Sequence, residues 1–156
     1  MNQDFKELLK IFNEYAVKYL IVGGYAVMKY SEPRFTKDLD VWVEASPENA
    51  KNIFQSLKSF GSPLEGLTEA DFAQDGFYQM GRPPVRIDIL MSISGVEFQN
   101  AWGNRVQTDF DGVAAYFIGL ADLIANKKAS GRLQDLADVE KMILSRNIAD
   151  KLRDNS

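Results

Sequence analysis

Asp38 and Asp40 flank Leu39 in the run Asp38-Leu39-Asp40-Val41-Trp42-Val43-Glu44, whose apolar residues alternate as in a half-buried strand. Side chains two apart on a strand share a face, with their Cα atoms roughly 6.6 Å apart. Both carboxylates therefore point one way, while Leu39, Val41 and Val43 point into the core and anchor the backbone. Two adjacent anions repel, and the pair is costly unless it is solvated or neutralised by a cation. A divalent metal would supply that cation, although a lone Asp-x-Asp is also common on solvated strand faces. Asp88 repeats the arrangement within Val85-Arg86-Ile87-Asp88-Ile89-Leu90-Met91; taken alone, it is better explained as a solvent-facing residue on a half-exposed sheet or by a salt bridge with Arg86. Gly23-Gly24 lies where an apolar run, Tyr19-Leu20-Ile21-Val22, gives way to a helical pattern. Backbone there can approach a ligand closely, and a helix start offers free N–H groups to phosphate oxygens.

These residues need elements to position them. Phe5, Leu8, Leu9, Phe12, Tyr15 and Ala16 recur at helical spacing, predicting an amphipathic first helix. Tyr19 to Val22 reads as a buried strand, Tyr25 to Tyr30 as a helix broken by Ser31-Glu32-Pro33, and Asp38 to Glu44 as a second strand. Ser46-Pro47 is a cap with proline in the first turn, opening a helix that ends near Gly61. The stretch 62–75 reads as irregular. Gly76 to Met80 and Val85 to Met91 read as paired strands joined by Gly81-Arg82-Pro83-Pro84. A short helix spans Val96 to Trp102, and Asp111-Gly112 joins a hairpin of Val106 to Phe110 with Val113 to Ile118. The C-terminal part, Gly119 to about Leu152, is helical with a break at Ser130-Gly131. Hairpins among interleaved helices predict an α+β fold with a mixed β-sheet flanked by helices. Trp42, Trp102 and the phenylalanines read as core.

Composition narrows the chemistry. The chain has 156 residues, 46% hydrophobic and 26% charged, with a net charge of −4 and neither histidine nor cysteine. A single domain over residues 1–156 is expected. Thiolate nucleophiles, Ser-His-Asp triads, imidazole acid–base chemistry and zinc sites of sulfur and nitrogen are excluded. Carboxylates, lysine, tyrosine or a hard metal held by oxygen remain. The N-terminus lacks the features of a signal peptide and no apolar run is long enough to span a bilayer; a cytoplasmic location without membrane contact is expected. The negative charge argues against a surface made chiefly for nucleic acid.

Taken in order, the segments Gly23-Gly24-Tyr25-Ala26, Arg34-Phe35-Thr36-Lys37-Asp38-Leu39-Asp40 and Arg86-Ile87-Asp88-Ile89-Leu90 resemble the DNA polymerase beta-type nucleotidyltransferase superfamily. Arg34 and Thr36 ahead of the paired acids, with the run Leu123 to Asp138 near the end, resemble its small AbiEii-like bacterial members. The resemblance extends from about Tyr19 to Ile143. It implies a nucleotidyltransferase fold with a helical C-terminal part, in which Asp38, Asp40 and Asp88 bind two Mg2+ ions, with Mn2+ as an alternative. Asp88 would also accept the proton of the attacking hydroxyl. Two such ions about 3.5–4 Å apart clamp the attacking and leaving oxygens of an in-line displacement.

The same resemblance assigns nucleotide binding to Gly23, Gly24, Arg34, Thr36, Lys127, Arg132 and Asp135. Many relatives have Gly-Ser at the turn, so Thr36 would replace the missing hydroxyl. Lys127, rather than Lys128, is the triphosphate contact, and Asp138 completes the C-terminal motif. The ordinary alternative for that segment is a solvated helical face with Arg132 and Asp135 paired at i, i+3. The function implied is transfer of a nucleoside monophosphate from a magnesium-bound nucleoside triphosphate to an acceptor hydroxyl on RNA, a protein side chain or a small molecule. A second copy or a cognate antitoxin is a candidate partner, because such relatives often act in toxin–antitoxin or phage-defence systems. A module that binds nucleotide without turnover is the alternative, and a purely structural interaction protein the third reading.

Overall fold

The computed structural model describes residues 2–82 and 85–155. The first helix, α1 (Gln3–Glu14), is capped by the Asn2 side chain and buries Phe5, Leu8, Leu9, Ile11 and Phe12. It ends earlier than its apolar spacing predicts. Ala16 takes a left-handed φ of 55°, with Ala16 N–H bonded to the Asn13 carbonyl at 3.2 Å and Val17 N–H to the Phe12 carbonyl at 2.9 Å. These two bonds form a Schellman cap that satisfies the last carbonyls and turns the chain into the sheet.

Strand β1 (Tyr19–Val22) is fully buried and runs directly into α2 (Gly23–Tyr30). Strand β2 (Asp38–Val43) follows, then α3 (Pro47–Phe60), which starts at a Ser46 cap and ends at Gly61 with φ 92°. The stretch expected to be irregular contains a 3-10 turn, Glu69–Ala73, closed by a Thr68–Asp71 capping box around buried Phe72. Strands β3 (Phe77–Arg82) and β4 (Val85–Leu90) pair antiparallel, so Gly81 and Arg82 belong to a strand rather than to the connection. Pro83 and Pro84 of that expected connection lie outside the described residues. Helix α4 covers Phe98–Gly103, a little later than its pattern suggests. Strands β5 (Val106–Phe110) and β6 (Val113–Phe117) form the expected hairpin. Asp111 and Gly112 both have positive φ, 55° and 91°, as a two-residue hairpin turn matching strand twist requires. Helices α5 (Leu120–Ser130) and α6 (Leu133–Asp154) are separated at Gly131, φ 70°.

All six strands form one mixed sheet in the order β3-β4-β2-β1-β6-β5. Its centre decides the site. Strand β2 lies antiparallel to β1, pairing Asp40 with Val22, and parallel to β4, pairing Asp38 with Arg86 and Asp40 with Asp88. Parallel neighbours need a long crossover, supplied here by α3, the 3-10 turn and β3. Leu39, Val41 and Val43 are fully buried, as are Ile87 and Ile89 on β4. This apolar face fixes the register, because a slip of one residue would put the aspartates into the core. Among the described residues no helix is long and apolar enough to cross a membrane.

Leu39 sits between the two aspartates with 0% exposure. Leu39→Ala is expected to lower unfolding free energy by about 2–5 kcal/mol, measured as a reduced denaturant midpoint with an unchanged slope. A loss below about 1 kcal/mol would contradict this anchoring role.

Candidate active site

The site follows from the register. Residues paired across adjacent strands project to the same side, so Asp40 and Asp88 stand next to one another and Asp38 stands next to Arg86. Val22 is the last residue of β1 and pairs with Asp40, so the chain must turn beside that carboxylate. It does so at Gly23, whose φ is +66°. A Cβ at Gly23 would run into the Asp40 carboxyl, and one at Gly24 would lie 2.6 Å from Thr36 Oγ1. Glycine is needed at both positions because the turn packs directly on the acid and on Thr36. Helix α2 then begins with no side-chain cap on its first turn, as do α4, α5 and α6, and what sets it apart is that its start packs on the Asp40 carboxyl.

The electrostatics of the acids are set by crowding. Burial pushes the Asp40 carboxyl up, the charge of Asp88 and a hydrogen bond shared with it push further, Asp38 adds a smaller repulsion, and Arg86 opposes all three. The result is a carboxyl raised from 3.8 to about 7. Arg86 is the compensating charge: its Nη2 lies 2.8 Å from Asp38 Oδ2 and donates to Asp88 Oδ2 at 3.2 Å. Its Nε is also 3.2 Å from Asp88 Oδ1, but the two atoms are out of line, and both are buried without a hydrogen-bond partner. Sequence spacing suggested the Arg86–Asp88 contact. The reach to Asp38 across the strands depends on register and was not foreseen.

The residues expected to bind nucleotide fall into two groups. Gly23, Gly24 and Thr36 surround the acids. Arg34, Lys127, Arg132 and Asp135 gather instead around Asp138, which is fully buried between α5, α6 and the loop before β2. Asp138 accepts from Arg34 at 2.7 Å, from Gln134 at 3.0 Å and from Lys127 Nζ at 3.3 Å. Lys127 Nζ also donates to Asp135 at 3.1 Å, and Asp135 accepts from Arg132 Nε at 2.8 Å. Burial pushes the Asp135 carboxyl up, but hydrogen bonds from Arg132, Ser130 and Lys127 outweigh it and hold the group at about 2. An ammonium has three N–H donors, and two of those of Lys127 are taken by Asp135 and Asp138. Arg34 ties this cluster to the first group, since Thr36 follows it by two residues. The i, i+3 pairing of Arg132 with Asp135 is present, yet the helical face bearing Lys127, Asp135 and Asp138 is buried rather than solvated.

The donor set fits a hard divalent cation. It consists of oxygen ligands only, and one buried Asp88 oxygen lacks a hydrogen-bond donor. Among the described residues no group of three or more acids is placed to hold a metal ion by itself. Magnesium is typically held by one or two carboxylates with substrate phosphates and water completing its shell.

Two measurements check this geometry. The unfolded chain releases the Asp40 proton near 3.8 and the folded one near 7, so between these values the folded state binds more protons. Stability from this group is complete below the lower value and is lost as pH rises through the upper. In metal-free protein, wild type should lose stability relative to Asp40→Asn between pH ~4 and ~7; parallel melting curves would contradict the assignment. Asp138→Ala leaves Lys127 and Arg34 facing each other and should cost about 3–5 kcal/mol. Arg132→Ala removes an exposed guanidinium and leaves buried Asp135 still bonded to Lys127, so it should cost less than about 1 kcal/mol. Comparable losses in chemical unfolding would overturn the distinction.

Solved structures with this fold include the lincosamide antibiotic adenylyltransferase LnuA with lincomycin bound, at 15% identity and TM-score 0.53, covering 91% of this chain and 96% of that one. An antigenic nucleotidyltransferase-like protein from Paracoccidioides brasiliensis is 20% identical with TM-score 0.53, covering 91% and 76%. A Thermotoga maritima chain described as a nucleotidyltransferase is 13% identical with TM-score 0.57, covering 94% and 91%. At these identities the likeness is one of fold. No curated protein matches the sequence. The family match agrees with the fold and extends over residues 1–154: the chain belongs to DUF6036, a family of nucleotidyltransferases of unknown function.

Proposed function

We propose that this chain transfers a nucleoside monophosphate from a magnesium-bound nucleoside triphosphate to an acceptor hydroxyl. The observation that carries the reading is the packing of the uncapped Gly23–Gly24 helix start against Asp40, which is in register with Asp88. Phosphates on the turn would thereby meet the acids. Asp40 and Asp88, with Asp38 beside them, would hold Mg2+ or Mn2+, and the bound ions would supply Lewis acidity and charge neutralisation at the phosphates. The leading N–H groups of α2 and the Thr36 hydroxyl orient the triphosphate, with the remaining Lys127 donor as a further contact. The acceptor oxygen attacks the α-phosphorus, its proton passes to the Asp88 carboxylate, and the bond between α-phosphorus and the bridging oxygen breaks to release pyrophosphate. Positioning and charge stabilisation suffice for this chemistry, which suits a protein without histidine or cysteine.

The acceptor is an RNA end, a protein side chain or a small hydroxylated molecule. The lincosamide adenylyltransferase of similar fold makes small molecules worth including among those tried. The closer placement beside AbiEii-like bacterial members belongs to the same proposal, with a cognate antitoxin or a second copy as partner. The alternative, nucleotide binding without turnover, draws on the engagement of Lys127 by two buried carboxylates. Radiolabelled triphosphates offered with tRNA, cell lysate and small hydroxylated compounds should give magnesium-dependent incorporation. Asp40→Ala should reduce it by about 100-fold or more. Nucleotide binding by calorimetry without pyrophosphate release would favour the alternative. Absence of incorporation, with Asp40→Ala and wild type binding nucleotide alike, would overturn the proposal.

A further inference from the structure

Arg86 sits where a cation bound by these acids would be needed. It lies across the strand boundary from Asp38 and two residues before Asp88 on the same face. One nitrogen, Nη2, is shared between a carboxylate on β2 at 2.8 Å and a carboxylate on β4 at 3.2 Å. The guanidinium therefore does locally what a bridging metal does, drawing two acids on neighbouring strands toward one positive centre. Its fork faces both Asp88 oxygens, with Nε and Nη2 each at 3.2 Å. Only the Nη2 contact is a hydrogen bond; Nε and Oδ1 are left buried without a partner, so the pair lacks the two parallel bonds of a well-seated arginine fork. The Arg86 side chain is also 34% exposed, so it has a solvent path away from the acids. This one guanidinium does not bond fully to both oxygens of the two carboxylates it joins on neighbouring strands.

We infer that Arg86 is an internal counter-cation that competes with divalent metal for Asp38 and Asp88, holding the acids together without metal and yielding them when it binds. The inference rests on the reading of these acids as a cation site. Its consequence is a loading threshold. A free cation must displace the guanidinium without new ligands to compensate, whereas a cation arriving with a triphosphate brings phosphate oxygens of its own. Arg86 thus acts as a positioning residue that favours loading by the metal–nucleotide complex over loading by the bare ion.

The test is titration of the full chain with Mn2+ in the absence of nucleotide, followed by calorimetry and by the paramagnetic signal of free Mn2+, for wild type, Arg86→Gln and Arg86→Lys. Thermal melts of each metal-free protein accompany it. Arg86→Gln should bind Mn2+ on the order of tenfold more tightly than wild type and melt at a lower temperature without metal, with Mn2+ narrowing that gap. Arg86→Lys, which keeps the charge but not the fork, should stay near wild type in affinity. Unchanged or weaker Mn2+ binding by a folded Arg86→Gln, with wild type binding Mn2+, overturns the competition while leaving the metal site intact. If neither wild type nor Arg86→Gln binds Mn2+, the reading of the acids as a cation site fails and the inference falls with it. Should Arg86→Gln not fold, Arg86→Met, which also removes the charge, takes its place: tighter Mn2+ binding than wild type supports competition, and equal or weaker binding overturns it.

Discussion

The parallel pairing of β2 with β4 is the constraint on which the site depends. It sets Asp40 beside Asp88 and Asp38 beside Arg86, concentrating three carboxyl groups and one guanidinium at the middle of the sheet. Such an arrangement works against folding: burial first, and the charge of Asp88 next, raise the Asp40 carboxyl. It persists because the opposite face of both strands is buried and apolar, with Leu39, Val41, Val43, Ile87 and Ile89 holding the register. Core packing thus stabilises charge crowding that the charges themselves oppose. This balance is common where strained electrostatics serve a function.

The same pairing explains the position of the glycine turn. Because β1 runs antiparallel to β2 and ends at Val22 opposite Asp40, the following residues must pass within contact of the acids. Gly23 has no room for a side chain, and Gly24 presses on Thr36. Helix α2 therefore starts beside the carboxyl of Asp40. Strand register thus brings the acids and a helix start together. The C-terminal helices add a different contribution. The buried cluster around Asp138 connects α5 and α6 to the loop that carries Arg34 and Thr36, holding that loop against the helices through ion pairs.

Much of this was legible in the sequence because it is encoded locally. Alternation placed Asp38 and Asp40 on one face of β2 and Asp88 on β4, and Ser46-Pro47, Asp111-Gly112 and Gly131 marked a helix start, a hairpin turn and a helix break. The mixed sheet follows from the predicted hairpins. Features set by distant partners were not legible. Arg34 and Asp138 are 104 residues apart, and nothing in either segment names the other. The Arg86–Asp38 bridge depends on which strands are neighbours, which periodicity does not specify. The early end of α1 was hidden because Tyr15 and Ala16 continue the apolar spacing while the backbone has already turned at Ala16. The 3-10 turn at Glu69–Ala73 is too short to show a period of its own.

The proposed function requires the acids and the glycine turn to hold a metal-bound triphosphate together. A crystal structure grown with Mg2+ and a non-hydrolysable nucleoside triphosphate tests it most directly. It should show cation density ligated by Asp40 and Asp88, phosphate oxygens against the N–H groups at the start of α2, and Arg86 released from Asp38. Nucleotide bound elsewhere on the surface, with Arg86 still bridging Asp38 and Asp88, would contradict it.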